Sequence, residues 1–233
     1  MIMAVNSAND LYLAASVREL DRLAIEEHHI PGFTLMKRAG HAVFSALLGK
    51  WPATKHIICF CGSGNNAGDG YVVAALAAEK GINTTVVALG NPDSLSGDAR
   101  LAYDMAAEKK VDIVLYDKLD SRTLFSDSKN QGVIVDALLG TGLTGNVRGD
   151  YRDAIALINT LPLPVVAADI PSGLCSDSGR ILGIAVKAEM TVTFIGRKLG
   201  QTIEQGPAIC GELVFDDLGV PWEIYSHVAP ATP

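Results

Sequence analysis

Ile57-Ile58-Cys59-Phe60-Cys61 is a short, unbroken apolar run, and Gly62-Ser63-Gly64-Asn65-Asn66-Ala67-Gly68-Asp69-Gly70 follows it directly. A continuous run of that length reads as a strand buried on both faces. The glycines after it let the backbone approach a ligand, and free N–H groups at a helix start hold phosphate. Gly62, Gly64 and Ala67 match the spacing G-x-G-x-x-[GA] of a dinucleotide fingerprint. A tight turn with polar capping fits the same spacing. Asn65, Asn66 and Asp69 add two amides and a carboxylate that a plain phosphate cradle does not need.

Working outward, similar apolar runs recur at His56–Cys61, Thr84–Leu89, Asp112–Leu115, Val133–Ala137, Val165–Asp169, Met190–Phe194 and Gly211–Phe215. Helical stretches separate them, at about Asp69–Lys80, Ser96–Lys109, Ser121–Ser128 and Asp150–Thr160. Strand alternating with helix predicts parallel βαβ units in a three-layer α/β fold. No long helix separates the last two strands, so that edge of the sheet is expected to be mixed. Two helices precede the sheet. Ser16-Val17-Arg18-Glu19 has the form of a capping box, and a second helix is expected from near Thr34 to Trp51-Pro52. No repeat or linker divides the chain, which predicts one domain over residues 1–233, with an ordered core from about 10 to 225 and a frayed tail from Ser226.

The 233 residues are 48% hydrophobic and 19% charged, which excludes a disordered or collagen-like chain. A net charge of −7 without a Lys/Arg block argues against a nucleic-acid partner, though not against one anionic small molecule. The four cysteines form no metal-binding pattern, and Cys59 and Cys61 are expected as free thiols on one face of a strand. The five histidines show no metal-site spacing either, and His41 is expected at a surface or core edge. No signal peptide is evident, and no apolar run reaches the roughly 20 residues of a membrane span. The expected location is the cytoplasm.

Two further loops leave strands at the end of a parallel sheet where ligands bind. In Val135-Asp136-Ala137-Leu138-Leu139-Gly140-Thr141-Gly142-Leu143, a carboxylate ends a buried strand. Such a group needs a partner or a cation, so Asp136 reads as a cation ligand or active-site acid, or else as a turn carboxylate. Gly140, Thr141 and Gly142 suit a second phosphate contact. In Ala168-Asp169-Ile170-Pro171-Ser172-Gly173, Asp169 ends another buried strand. Two such acids beside glycine loops suggest one cleft. There is no G-x-S-x-G elbow and no G-K-[ST] after the glycines, so neither an α/β-hydrolase nor a P-loop nucleotidase is supported.

Taken together, these loops resemble the NAD(P)H-hydrate epimerase family, the YjeF-type N-terminal domain. Gly62–Gly70 is similar to its G-x-G-N-N-G-G-D-G segment, Val135–Leu143 to V-D-A-L-x-G-T-G-L, and Asp169–Gly173 to D-I-P-S-G. Ala67 departs from the family's usual glycine. The resemblance implies a Rossmann-like α/β/α domain, often dimeric, that interconverts the R and S C6-hydrates of NADH and NADPH. It implies a potassium ion held by Asn66, Asp136 and Ser172. The substrate would be lined by Asn65, Asn66, Ala67, Gly68 and Asp69, by Gly140, Thr141, Gly142, Leu143, Thr144, Gly145 and Asn146, and by Asp169. Family members are often fused to a nucleotide-dependent dehydratase, which these residues do not include. For acid/base catalysis the first expectation is Asp169 and the second Asp69, whose other reading is a cap on the loop helix.

Two other readings compete. An NAD(P)-dependent oxidoreductase wants an acidic residue at the end of the next strand to hold the ribose, but here Thr84–Leu89 runs into Gly90-Asn91-Pro92. A non-catalytic binding module of the same fold is the second. It would be expected to lose the acids, yet Asp69, Asp136 and Asp169 are all present.

Overall fold

The computed structural model describes residues 10–119 and 131–231. The expected helix at Ser121–Ser128 lies outside these residues. Seven strands form one sheet: β2 (His56–Cys61), β3 (Asn83–Ala88), β4 (Asp112–Leu115), β5 (Gly132–Ala137), β6 (Val165–Ala168), β7 (Met190–Phe194) and β9 (Glu212–Asp216), in the order β4-β3-β2-β5-β6-β7-β9. Every neighbouring pair is parallel. The expectation of a mixed edge is therefore wrong. The long irregular passage Asp169–Glu189 carries the chain from β6 to β7, and a short helix, α6 (Gly206–Cys210), turns it back into β9. A parallel crossover needs length more than it needs helix.

Helices α2 (Gly32–Lys50), α3 (Asn65–Glu79) and α4 (Gly97–Glu108) cover one face, and α5 (Gly149–Thr160) covers the other. Alternate residues of one strand feed the two cores: Cys59 and Cys61 join the α3 side, while Ile58 and Phe60 join the α5 side. All four cysteines are free, Cys59 and Cys61 as expected. The architecture is the three-layer, Rossmann-like α/β fold. The strand order reverses between β2 and β5, and such a switch point opens a crevice at the carboxyl ends of the strands.

Helix α1 (Ala14–Arg22) and a π-turn at Leu23–Glu27 lie before α2. Ser16 is inside α1, not at its cap. The cap comes from elsewhere in the chain: Asp177 Oδ1 accepts from the Ala14 N–H at 2.6 Å. No local motif can reveal a cap 163 residues away. Helix α3 begins at Asn65, four residues before the expected Asp69. Strand β1 (Leu11–Tyr12) pairs with β8 (Arg197–Lys198), which ties the start of the chain to the segment after β7. The tail is also more ordered than expected. Trp222–His227 is a 3-10 helix, and the Ala231 N–H reaches the Leu11 carbonyl at 2.7 Å.

Candidate active site

A cleft of about 750 Å³ opens where β2, β5, β6 and β7 end. That volume is in the range of small-molecule and cofactor sites. Helix α1 forms its far wall through Val17, Arg18 and Asp21.

The glycine loop supplies Ser63, Gly64, Asn65 and Asn66 to the cleft. Gly64 is the N-cap of α3 and carries no side-chain cap, so the first N–H groups of a 15-residue helix face this region. Gly62 must be glycine, because a methyl group there would overlap the Leu138 carbonyl. The Ser63 hydroxyl meets the Tyr151 hydroxyl at 3.1 Å, linking this loop to α5. Ala67 and Gly68 point elsewhere. Ala67 is fully buried in the core, and a side chain on Gly68 would strike Met36. Neither forms cleft wall. The Ala67 departure therefore leaves the cleft side of the glycine loop unchanged.

From the loop after β5, Gly140, Thr141, Gly142, Leu143 and Thr144 line the cleft. Gly145 and Asn146 do not; Asn146 lies against Gly183 on the outer surface.

Asp136 and Ser172 lie beneath the cleft floor, both fully buried. Ser172 donates its hydroxyl to Asp136 Oδ1 at 2.6 Å and its N–H to Oδ2 at 2.8 Å, and the Leu138 N–H adds a bond at 3.3 Å. Burial nevertheless pushes the Asp136 carboxyl up to about 6, since these donors only partly offset the loss of water. Asn66 lies against Gly140, and its Nδ2 is buried without a partner. An orphaned amide, a buried carboxylate and a hydroxyl around one turn form an oxygen-rich set. Turning the amide over would offer Oδ1 in place of the orphaned N–H. This donor set fits a hard cation better than a thiophilic metal. Among the described residues no cluster of His, Cys, Asp or Glu suits a transition metal.

Asp169 directly follows β6 with φ +65°, a left-handed conformation unusual for a residue other than glycine. Strain of this kind persists where the surroundings hold it. The Asp169 N–H bonds the Val192 carbonyl at 2.8 Å, and its own carbonyl accepts from Gln201 Nε2 at 2.7 Å. Ile195, which follows β7, is also left-handed at φ +60°. Between these two turns lies Lys198, fully buried. Its ammonium donates to Asp169 Oδ1, to Thr193 Oγ1 at 3.0 Å and to the Phe194 carbonyl at 3.2 Å. Asp169 keeps 18% of its side chain exposed, toward the cleft.

Asp69 faces the same space from α3 and is nearly buried. Desolvation, then the charges of Asp169 and Asp21, push its carboxyl well above the usual range, and Lys198 only partly opposes them. Asp21 is pushed up to about 6, chiefly by desolvation.

The structure thus brings Asn65, Asn66, Asp69, Gly140–Thr144 and Asp169 to one cleft, with Asp136 and Ser172 below it. Sequence reasoning missed Lys198, Asp21 and Tyr151. Lys198 stands four residues after the end of β7, next to Arg197, and only its complete burial marks it out.

Residues 32–200 match the family model described as YjeF-related protein N-terminus. The chain is 45% identical over 210 residues to the bifunctional NAD(P)H-hydrate repair enzyme Nnr of Coxiella burnetii, a match covering 90% of this chain and 41% of that protein. It is 34% identical over 228 residues to an NAD(P)H-hydrate epimerase of Legionella pneumophila strain Paris, covering 96% and 83%. It is 35% identical over 207 residues to the epimerase of Limosilactobacillus fermentum, covering 88% and 96%. The chain therefore spans about two fifths of its bifunctional relative and most of the two epimerases. Among solved structures, yeast YNL200c superposes with a TM-score of 0.79 at 18% identity, covering 96% of each chain, a likeness of fold.

Proposed function

The chain belongs to the YjeF-related N-terminal family, and on that premise we propose that it is an NAD(P)H-hydrate epimerase, an isomerase of metabolite repair that interconverts the R and S C6-hydrates of NADH and NADPH. One observation carries the reading: a strained, cleft-facing carboxylate, Asp169, sits on a buried lysine beside a glycine loop at the switch point of the sheet. Two relatives that this chain covers over most of their length are named NAD(P)H-hydrate epimerase.

The stereocentre of the substrate is a carbinolamine carbon. Protonation of its hydroxyl lets water leave, the ring nitrogen stabilises the iminium that remains, and water returns to the other face. The steps need a proton donor and a proton acceptor at oxygen, and no redox partner. Of the four carboxyl groups that line the cleft, Asp21, Asp69, Asp98 and Asp169, we assign these roles to Asp169 and Asp69. The N–H groups at the start of α3 and the Gly140–Thr144 loop suit the diphosphate.

We assign a potassium site to Asn66, Asp136 and Ser172. A cation bound there would offset buried negative charge beneath the cleft. We further propose a homodimer in the cytoplasm, acting alongside a fused or separate dehydratase. Four free cysteines agree with a reducing compartment. Among the described residues no helix is long and apolar enough to cross a membrane.

An oxidoreductase reading is disfavoured because β3 ends at Ala88 and runs into Leu89 and Gly90, with no acid to hold a ribose. A non-catalytic module of this fold has no need of the strained Asp169.

The test supplies purified R-hydrate of NADH, potassium and an excess of S-specific dehydratase, and follows recovery of NADH absorbance above the spontaneous rate. Recovery should scale with this protein, and Asp169→Asn should lose most of it while still binding the dinucleotide. Absence of acceleration in a protein that binds the dinucleotide would favour the binding module.

A further inference from the structure

We propose that Asp69 and Asp169 form an unlike pair, Asp69 holding a proton and Asp169 a negative charge, so that one carboxyl delivers acid while the other takes up a proton in the same turnover. This deepens the epimerase reading and rests on it.

The asymmetry comes from Lys198. Its three N–H bonds are all spent on Asp169 Oδ1, Thr193 Oγ1 and the Phe194 carbonyl, at the ends of β6 and β7. None is left for the opposite wall. Asp169 also accepts from the Phe194 N–H at 3.3 Å and from the Thr193 hydroxyl at 3.4 Å. It thus has a fixed counter-charge and several donors, the surroundings of an ionised carboxylate. Asp69 has neither. It is 9% exposed, and among the described residues no donor bonds its carboxyl. The charged groups facing it are Asp169, Asp21 of α1 and the already committed Lys198, with the thiol of Cys61 on β2 beside it. Arg18 and Asp98 complete the charges of the cleft. One buried ammonium cannot hold three carboxylates ionised; Asp69 and Asp21 both lack donors, and Asp69, the more buried of the two, keeps its proton. Two carboxyls are thereby driven to opposite states by their surroundings.

The reaction balances. Asp69 gives its proton to the C6 hydroxyl, and the C–O bond breaks with its electron pair leaving on water. The ring nitrogen lone pair forms the C=N bond of the iminium. A water oxygen then bonds C6 from the other face, returning that pair to nitrogen, and Asp169 takes the proton this water sheds. Asp69 is left ionised and Asp169 protonated. That is the state from which the opposite epimer reacts with the roles exchanged; proton transfer through cleft water restores the first.

The test combines carboxyl NMR of the full chain, labelled with 13C-aspartate, with kinetics of the hydrate assay. Asp69 should remain protonated at pH 7 while Asp169 is ionised. Asp69→Asn, which preserves a neutral side chain, should lose about 100-fold or more in kcat with KM changed less than threefold. An ionised Asp69 at pH 7 in the wild-type spectrum overturns the proposal whether or not the variant folds. So does an Asp69→Asn variant within threefold of wild-type kcat. Wild-type protein that does not accelerate epimerisation overturns the epimerase reading itself, a result distinct from either of these.

Discussion

Ser172 holds Asp136 at both carboxylate oxygens, by its hydroxyl at 2.6 Å and its N–H at 2.8 Å, across the gap between the ends of β5 and β6. The same hydroxyl oxygen accepts from the Leu139 N–H at 2.9 Å. One small side chain therefore fixes the start of two cleft loops.

Ser172→Ala should cost about 2 kcal/mol in unfolding free energy, the scale of a lost bond to a charged group. Potassium should raise the melting temperature of the wild-type protein, since a ligand of the native state stabilises by mass action. The increment should vanish in Ser172→Ala. Melting curves in potassium chloride against choline chloride at equal ionic strength measure both effects, and an unchanged increment in the variant would remove Ser172 from the cation site.

Lys198→Met should destabilise by about 3–5 kcal/mol, as expected when one partner of a buried ion pair is removed and the other is left uncompensated. Asp169 opens toward the cleft, so water softens the effect and the lower end is expected. Urea unfolding decides it. A loss below about 1 kcal/mol would mean that Asp169 finds water or another donor as good as the ammonium.

Asp21, pushed up to about 6 by desolvation, binds a proton in the folded state between about pH 4 and 6 that the unfolded chain has already lost. The native state binds more protons there, so stability falls as pH rises through that window. The effect is bounded by about 3 kcal/mol, reduced by solvent at the partly open side of Asp21. Asp21→Asn should flatten this part of the curve and be closer to the wild type at pH 4 than at pH 7, where it should be the more stable of the two. Denaturant titrations across pH 4–7 test this, and parallel curves would count against it.

Ala67→Gly should lower stability by about 1 kcal/mol, from helix propensity and a lost buried methyl, while leaving the KM for the hydrate unchanged. A KM lowered severalfold would show that the methyl group does constrict the glycine loop, despite its full burial in α3.

Much of this architecture is legible without coordinates. Ile57–Cys61 with Gly62–Gly70 carries strand, loop and helix start in consecutive residues. Asp136 and Asp169 announce themselves because a carboxylate closing an apolar strand is costly unless it is used. Those signals are local, written within ten residues, and they determined the α/β class, the strand positions and the two lower walls of the cleft. What lay beyond them depends on contacts between distant segments. The α1 cap comes from Asp177, the edge strand β9 is parallel because of the path taken from Ile195 to Gly211, and Ala67 turns into the core because α3 starts at Asn65. The decisive case is Lys198. Its neighbours in the chain give no hint of a role, and only folding places its ammonium in the gap between two left-handed turns, bonded to Asp169 and not to Asp69. A side chain's charge is written in the sequence, but the charges and donors it meets, and therefore its protonation state, are set by what the tertiary structure packs around it.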